Sequence, residues 1–144
     1  MGLIELASAN SLWRGVDLAD EKKVLSWKDA GNGTYEGTVK GSGDNIYDVH
    51  IDKEHPRRST CNCAFAEGRR VICKHMIALY LTADPEARPY LDRKEKEWEA
   101  EYEASVKEHE DALKRHVLSL SKQQLQQELL DALKTIEEME RYRW

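Results

Sequence analysis

Cys61-Asn62-Cys63, nine residues, and then Cys73-Lys74-His75 form the stretch that decides how this chain is read. Three thiols and an imidazole in the order Cys-x-Cys-x9-Cys-x-His are four good ligands for a borderline-soft divalent ion, in the Cys3His set used by structural zinc sites. The spacing constrains the backbone. Two cysteines two residues apart need a bend, or one face of a strand, to aim both sulfurs at one point. Positions i and i+2 do not share a helix face, so Cys73 should precede a helix and His75 should sit in its first turn. Residues 76–81, Met-Ile-Ala-Leu-Tyr-Leu, then form the buried body of that helix, whose N-terminus favours thiolate over thiol at Cys73. The opposing view, three ordinary buried cysteines and an unrelated histidine, fits poorly with the polar and basic neighbours Thr60, Asn62, Arg70 and Lys74. His50 and His55 are rival fourth ligands, His50 falling on the polar face of a strand; His109 and His116 lie on a charged helix and receive no role.

The cysteine count supports a metal over disulfides. An odd number of thiols, all within one short window, is a poor disulfide framework. The opening Met1-Gly2-Leu3-Ile4-Glu5 has neither the basic nor the apolar segment of an export signal, and the longest apolar run, 76–81, is far short of a membrane span. A cytoplasmic protein without membrane association is expected.

Working outward, the 144 residues carry 22 basic and 27 acidic side chains, net −5, which excludes a uniformly basic nucleic-acid binder but not a local basic patch. All eight glycines precede residue 82, whereas residues 91–144 contain no glycine or proline and hold −4 of the net charge. Two parts are expected: a zinc-binding module over 1–84 and a helical hairpin, or coiled-coil-like tail, over 90–144. In the first part, Ser11-Leu12-Trp13-Arg14-Gly15-Val16-Asp17-Leu18-Ala19 reads as a short helix with Trp13, Val16 and Leu18 partly buried. Val24-Leu25-Ser26-Trp27-Lys28 reads as a strand ending at the turn signal 29–33. Next come 34–40, with Tyr35 and Val39 on one face, and the alternating 46–52, with Tyr47, Val49 and Ile51 opposite Asp48, His50 and Asp52. The fold class is α+β: a small antiparallel meander and a zinc-stapled short helix, then the hairpin. Asn32-Gly33-Thr34 matches a glycosylation sequon but is more simply a hairpin turn.

In the tail, Leu91, Trp98, Tyr102, Val106, Leu113, Val117 and Leu120 make one apolar stripe. Acid-before-base pairs (Asp92–Lys96, Glu103–Lys107, Glu110–Lys114, Asp111–Arg115) line the wet face. Ser121 and Gln124 form a capping-box pattern after a break, and Leu125, Leu129, Leu133, Ile136 and Met139 make a second stripe. Short-linked helices tend to pack antiparallel, which favours an intramolecular hairpin; the alternative is a docking or homo-oligomerisation surface.

The residues 47–75 resemble the SWIM zinc-finger family, whose signature is Cys-x-Cys, a variable gap and Cys-x-His. Tyr47, Val49 and Ile51 match the strand before the first cysteines, and Cys73-Lys74-His75 with its apolar helix matches the segment after them. Arg14-Gly15, Val24, Val39 and Gly41 look like the region upstream of the finger in small stand-alone bacterial members, so the resemblance spans about 10–82. Ala64 stands where many relatives carry proline. The resemblance implies one zinc ion and a binding role towards DNA or other proteins.

Four protein ligands leave no open position, so the ion is expected to be structural. No enzyme is expected: the Gly41–Gly43 turn lacks the lysine and helix of a phosphate loop, and no nucleophile is spaced to suggest a paired base. Two binding hypotheses remain. Lys53, Arg57, Arg58, Arg69, Arg70 and Lys74, against only Glu54 and Glu67, make a basic patch around the finger that could contact nucleic-acid phosphates. Alternatively the patch is solvated and offsets the thiolates, and the protein is an adaptor binding another protein. The acidic, amphipathic tail favours that version.

Overall fold

The computed structural model of the chain describes residues 2–143. Its elements, in order, are α1 (Leu3–Leu6), α2 (Ala9–Asp20), β1 (Val24–Gly31), β2 (Thr34–Lys40), β3 (Ile46–Asp52), a 3-10 turn (Pro56–Arg58), β4 (Thr60–Cys61), α3 (Lys74–Ala83), α4 (Ala87–Ser119) and α5 (Lys122–Arg141). The fold is α+β. The chain divides into two compact units, the break falling after Glu95 within α4.

In the first unit the four strands form one antiparallel sheet in the order β1-β2-β3-β4. The β1–β2 turn is set by its residues. Asn32 (φ 53°) and Gly33 (φ 73°) both take the left-handed conformation, which a two-residue hairpin loop requires and which Asn-Gly accepts at least cost. Alternation then puts Tyr35, Val39, Val49 and Ile51 on one buried face. Against that face lies α3, whose Met76, Ile77, Ala78, Leu79 and Leu81 are buried. The strand β1 extends three residues past Lys28 because Asp29 and Gly31 still find partners in Tyr35 and Thr34.

The helix α2 packs on α3 along a seam that its apolar residues only partly indicated. Ser11, Leu12 and Gly15 are buried; Trp13, expected to be partly covered, is 40% exposed, while Val16 and Leu18 are partly buried against the core. Closeness of approach decides this. A β-carbon at Gly15 would lie 2.5 Å from Ile77 Cβ, so the helices meet along the smallest side chains, a criterion that hydrophobic spacing does not weigh.

An ion pair braces the end of α3. Asp84 is buried; its Oδ2 lies 3.0 Å from Lys53 Nζ, and its Oδ1 accepts from Glu86 N–H at the entry to α4. The hydrogen bond to Asp84 is the main cause raising the Lys53 pKa above its usual 10.5. A raised cationic pKa contributes stability that is complete below the unfolded value and is lost as pH rises through the folded value. The pair therefore acts at full strength at neutral pH. Lys53→Met strands the buried carboxylate and should cost about 1–3 kcal/mol in denaturant unfolding at pH 7. The part-exposed ammonium keeps this below the cost of breaking a fully buried pair. An unchanged midpoint would contradict it. At the same end of the unit, Tyr90 of α4 donates to Glu5 and Arg88 pairs with Asp20, while Ala87 and Leu91 are buried.

In the second unit, α4 continues from Lys96 to Ser119 and α5 comes after it. The predicted capping box is present: Ser121 Oγ accepts from Gln124 N–H, and Gln124 Oε1 accepts from Ser121 N–H. The mutual burial expected of the two stripes is not found. Among the described residues from Lys96 on, none is buried, and Tyr102 is 71% exposed. Arg115 reaches Glu108 at 2.8 Å, and His116 lies 3.5 Å from Glu128. Among the described residues no helix is long and apolar enough to cross a membrane.

Candidate metal centre

Three local devices deliver the four expected ligands. Cys61 ends β4, which pairs with β3 through Val49↔Cys61 and His50↔Thr60. Asn62 prolongs that attachment, its side-chain Oδ1 accepting from Asp48 N–H at 2.9 Å. The chain then turns: the carbonyl of Cys63 accepts from the N–H groups of Ala66 and Glu67, which bends Cys63 back towards Cys61. Cys73 is the N-cap of α3 and His75 its second residue, the placement that the i,i+2 spacing required.

All four side chains are buried, and their ligand atoms lie within 4.8 Å of one another. His75 Nδ1 is 3.7 Å from Cys61 Sγ and 3.9 Å from Cys73 Sγ. Around a tetrahedral zinc, with Zn–S about 2.3 Å and Zn–N about 2.0–2.1 Å, neighbouring donors stand roughly 3.6–3.8 Å apart. The quartet therefore fits one zinc ion, held by Nδ1 and three sulfurs. The three cysteines form no disulfide.

The two facing sulfurs are driven in opposite directions. The Cys73 thiol is pulled well below its usual value, chiefly by the hydrogen bond from Cys61, with further lowering from His75 and the Met76 N–H. The same hydrogen bond, reinforced by burial, pushes Cys61 up. Several thiolates in one buried space demand a cation between them, and zinc coordinates the deprotonated form. With every position taken by protein, such an ion has no site for water or substrate; it is a structural zinc that fastens the Cys61–Cys63 bend to the start of α3.

Sequence reasoning did not anticipate the aromatic cover. The Tyr47 ring lies against His75, tilted by 34° with centroids 4.5 Å apart. Strand alternation put Tyr47 on the inner face, but only the register of β3 beneath α3 brings it to the imidazole. The rival histidines stand elsewhere: His50 faces Glu36 at 3.6 Å and His55 faces Asp52 at 3.6 Å, and neither joins the cluster.

The basic residues divide. Arg57 and Arg58, from the 3-10 turn, and Arg69 and Arg70, from the loop between Cys63 and Cys73, line one open groove together with Asn62 and Thr60 beside the metal centre. Glu67 and Asp48 also border it. Arg69 is fixed in place, donating to the Phe65 carbonyl at 3.1 Å and lying over the Phe65 ring at 5.0 Å. Lys53 does not line this groove and pairs with Asp84. Lys74 lies among Arg14, Ser11 and Phe65 on another surface of the centre.

The family model of the SWIM zinc finger matches residues 47–84, which contain all four ligands, β3, β4 and α3. The upstream stretch from residue 10 lies outside that match. No curated protein and no solved structure matches the chain.

Proposed function

We propose that this SWIM-type finger is a non-catalytic binding module whose zinc holds an arginine groove open to a polyanion, a nucleic-acid backbone. The observation that carries the reading is the convergence of Arg57, Arg58, Arg69 and Arg70 on one groove from two segments, each anchored beside a metal ligand. Arginine presents a fork of donors suited to phosphate oxygens. A rigid frame reduces the ordering cost of bringing four such groups to one strand. Phase and spacing, not base edges, are what such contacts recognise, so binding is expected to be largely indifferent to sequence.

The test is titration of fluorescent single- and double-stranded oligonucleotides at several salt concentrations. Binding should weaken steeply with salt, and Arg69→Ala with Arg70→Ala should weaken it about uniformly across sequences while reducing the salt slope by roughly one to two units. Equal affinity in the double variant, at unchanged zinc content, would overturn the reading.

A second reading, a protein adaptor in the cytoplasm, rests on the apolar stripes of α4 and α5, which the chain itself leaves exposed. Truncation after Glu95, which keeps the buried Leu91 with the first unit, separates the two. Nucleic-acid binding retained by the finger, with loss of partner capture, assigns protein contact to the tail.

A further inference from the structure

The unburied stripe on α4 has a symmetry of its own. Its members are Trp98, Tyr102, Val106, Leu113 and Val117, with Leu120 directly after the last turn. Reversed end for end about a point between His109 and Glu110, the series maps closely onto itself. Val106 falls opposite Leu113, Tyr102 opposite Val117, and Trp98 within one residue of the position opposite Leu120. In each pairing of the outer positions an aromatic ring meets an aliphatic side chain, so the surface is self-complementary in size as well as position. A face that matches itself under a two-fold rotation is what an isologous dimer needs.

The charges along the helix have the same arrangement. Residues 98–106 carry Glu99, Glu101 and Glu103 and no base; residues 113–119 carry Lys114 and Arg115 and no acid. Antiparallel pairing sets the acidic stretch of one copy along the basic stretch of the other at both ends, placing Glu103 near Lys114 of the second chain on one flank of the seam. Parallel pairing would set acid on acid and base on base. Arg115 points to the far side of the helix, where it reaches Glu108 at 2.8 Å.

We infer that two copies of this chain associate through antiparallel pairing of their α4 helices about a two-fold axis passing beside His109. A second α4 offers the stripe its own reverse, with Trp98 and Tyr102 set against aliphatic side chains, which the Leu125, Leu129, Leu133, Ile136 series of α5, with no ring in it, does not. The extent is sufficient. The stripe runs for about 35 Å, and two such helices cover several hundred Å2 from each copy, approaching the roughly 800 Å2 per partner of a standard specific interface. This inference is independent of the arginine groove.

The experiment uses the full-length, zinc-loaded chain. Sedimentation equilibrium should give twice the chain mass at concentrations of about 10–100 μM, and Val106→Asp should raise the dissociation constant at least about tenfold. Unchanged zinc content and an unchanged circular dichroism spectrum would show that the variant is folded. Orientation is read separately by oxidative cross-linking: His109→Cys, beside the axis, should link to its own copy, and Tyr102→Cys should not. The reversal Glu103→Lys should weaken the dimer, and adding Lys114→Glu should restore it. A monomer throughout that concentration range overturns the inference, as does a dimer indifferent to Val106→Asp. Equal cross-linking at 102 and 109 overturns the antiparallel arrangement.

Discussion

Cys73→Ser should abolish stoichiometric zinc and unfold the first unit. Serine keeps the N-cap, since its hydroxyl caps a helix at least as well as a thiol, so the local helix signal survives while the sulfur is lost. What fails is the link between α3 and the Cys61–Cys63 bend. A unit of about this size has a marginal core. Structural zinc supplies apparent binding energies of about 10–16 kcal/mol in small peptides, comparable with the whole stability of a typical domain, about 5–15 kcal/mol. Removing one of four ligands is therefore expected to cost several kcal/mol and leave buried sulfurs without their counter-ion. The measurements are zinc per chain by elemental analysis and the thermal transition of tryptophan and tyrosine fluorescence. A variant retaining a full equivalent of metal and the wild-type transition would remove zinc from the centre of the fold. Acid should act in the same direction, because the ligands bind zinc only when deprotonated: zinc release on lowering pH should coincide with unfolding of this unit.

The second large effect comes from a residue with no side chain. Alanine at position 15 would ordinarily help, since it is favoured over glycine in a helix interior by up to about 1 kcal/mol. Here its methyl would lie 2.5 Å from Ile77 Cβ and Cγ2 and 2.8 Å from the Lys74 carbonyl oxygen. The nearest atoms are a β-carbon and the backbone, which cannot swing aside as the end of a long side chain can. Overpacking of this sort typically costs about 1–3 kcal/mol, occasionally more, so Gly15→Ala should be net destabilising by about 1–3 kcal/mol. Because Lys74 stands between Cys73 and His75, the displacement should also reach the metal, appearing as faster zinc loss to a chelator. Asp17→Asn, on the exposed side of the same helix, is the control and should change stability by no more than about 0.5 kcal/mol. A more stable Gly15→Ala protein would mean that helix propensity outweighs the close approach.

These two residues mark how far the sequence could be read. The ligand set, the helix beginning after Cys73, the turn at Asn32-Gly33 and the cap at Ser121 are local matters. Each arises from bonding or steric preferences within a few residues, and each lies in the structure where the spacing put it. The face of α2 was not legible in the same way. Counting apolar residues placed Val16 and Leu18 against the core and also favoured Trp13, which is more exposed, but a crossing close enough to exclude a methyl group depends on Ile77, far along the chain. Nor did the basic residues around the finger declare which of them act together. Lys53 and Arg57 are four apart in sequence, yet one is held by Asp84 and the other lines the groove.

Alone, the sequence determined that one buried Cys3His cluster would join a bend to a helix, that a meander would precede it and that two amphipathic helices would come after, because short-range spacing fixes ligand reach and element period. Only the tertiary structure decided which four arginines share a groove, that Tyr47 covers His75, and that the stripes of α4 and α5 do not bury one another. Those outcomes depend on strand register, on the closeness of a helix crossing and on whether two joined helices lie side by side, and each is set by pairs of distant residues.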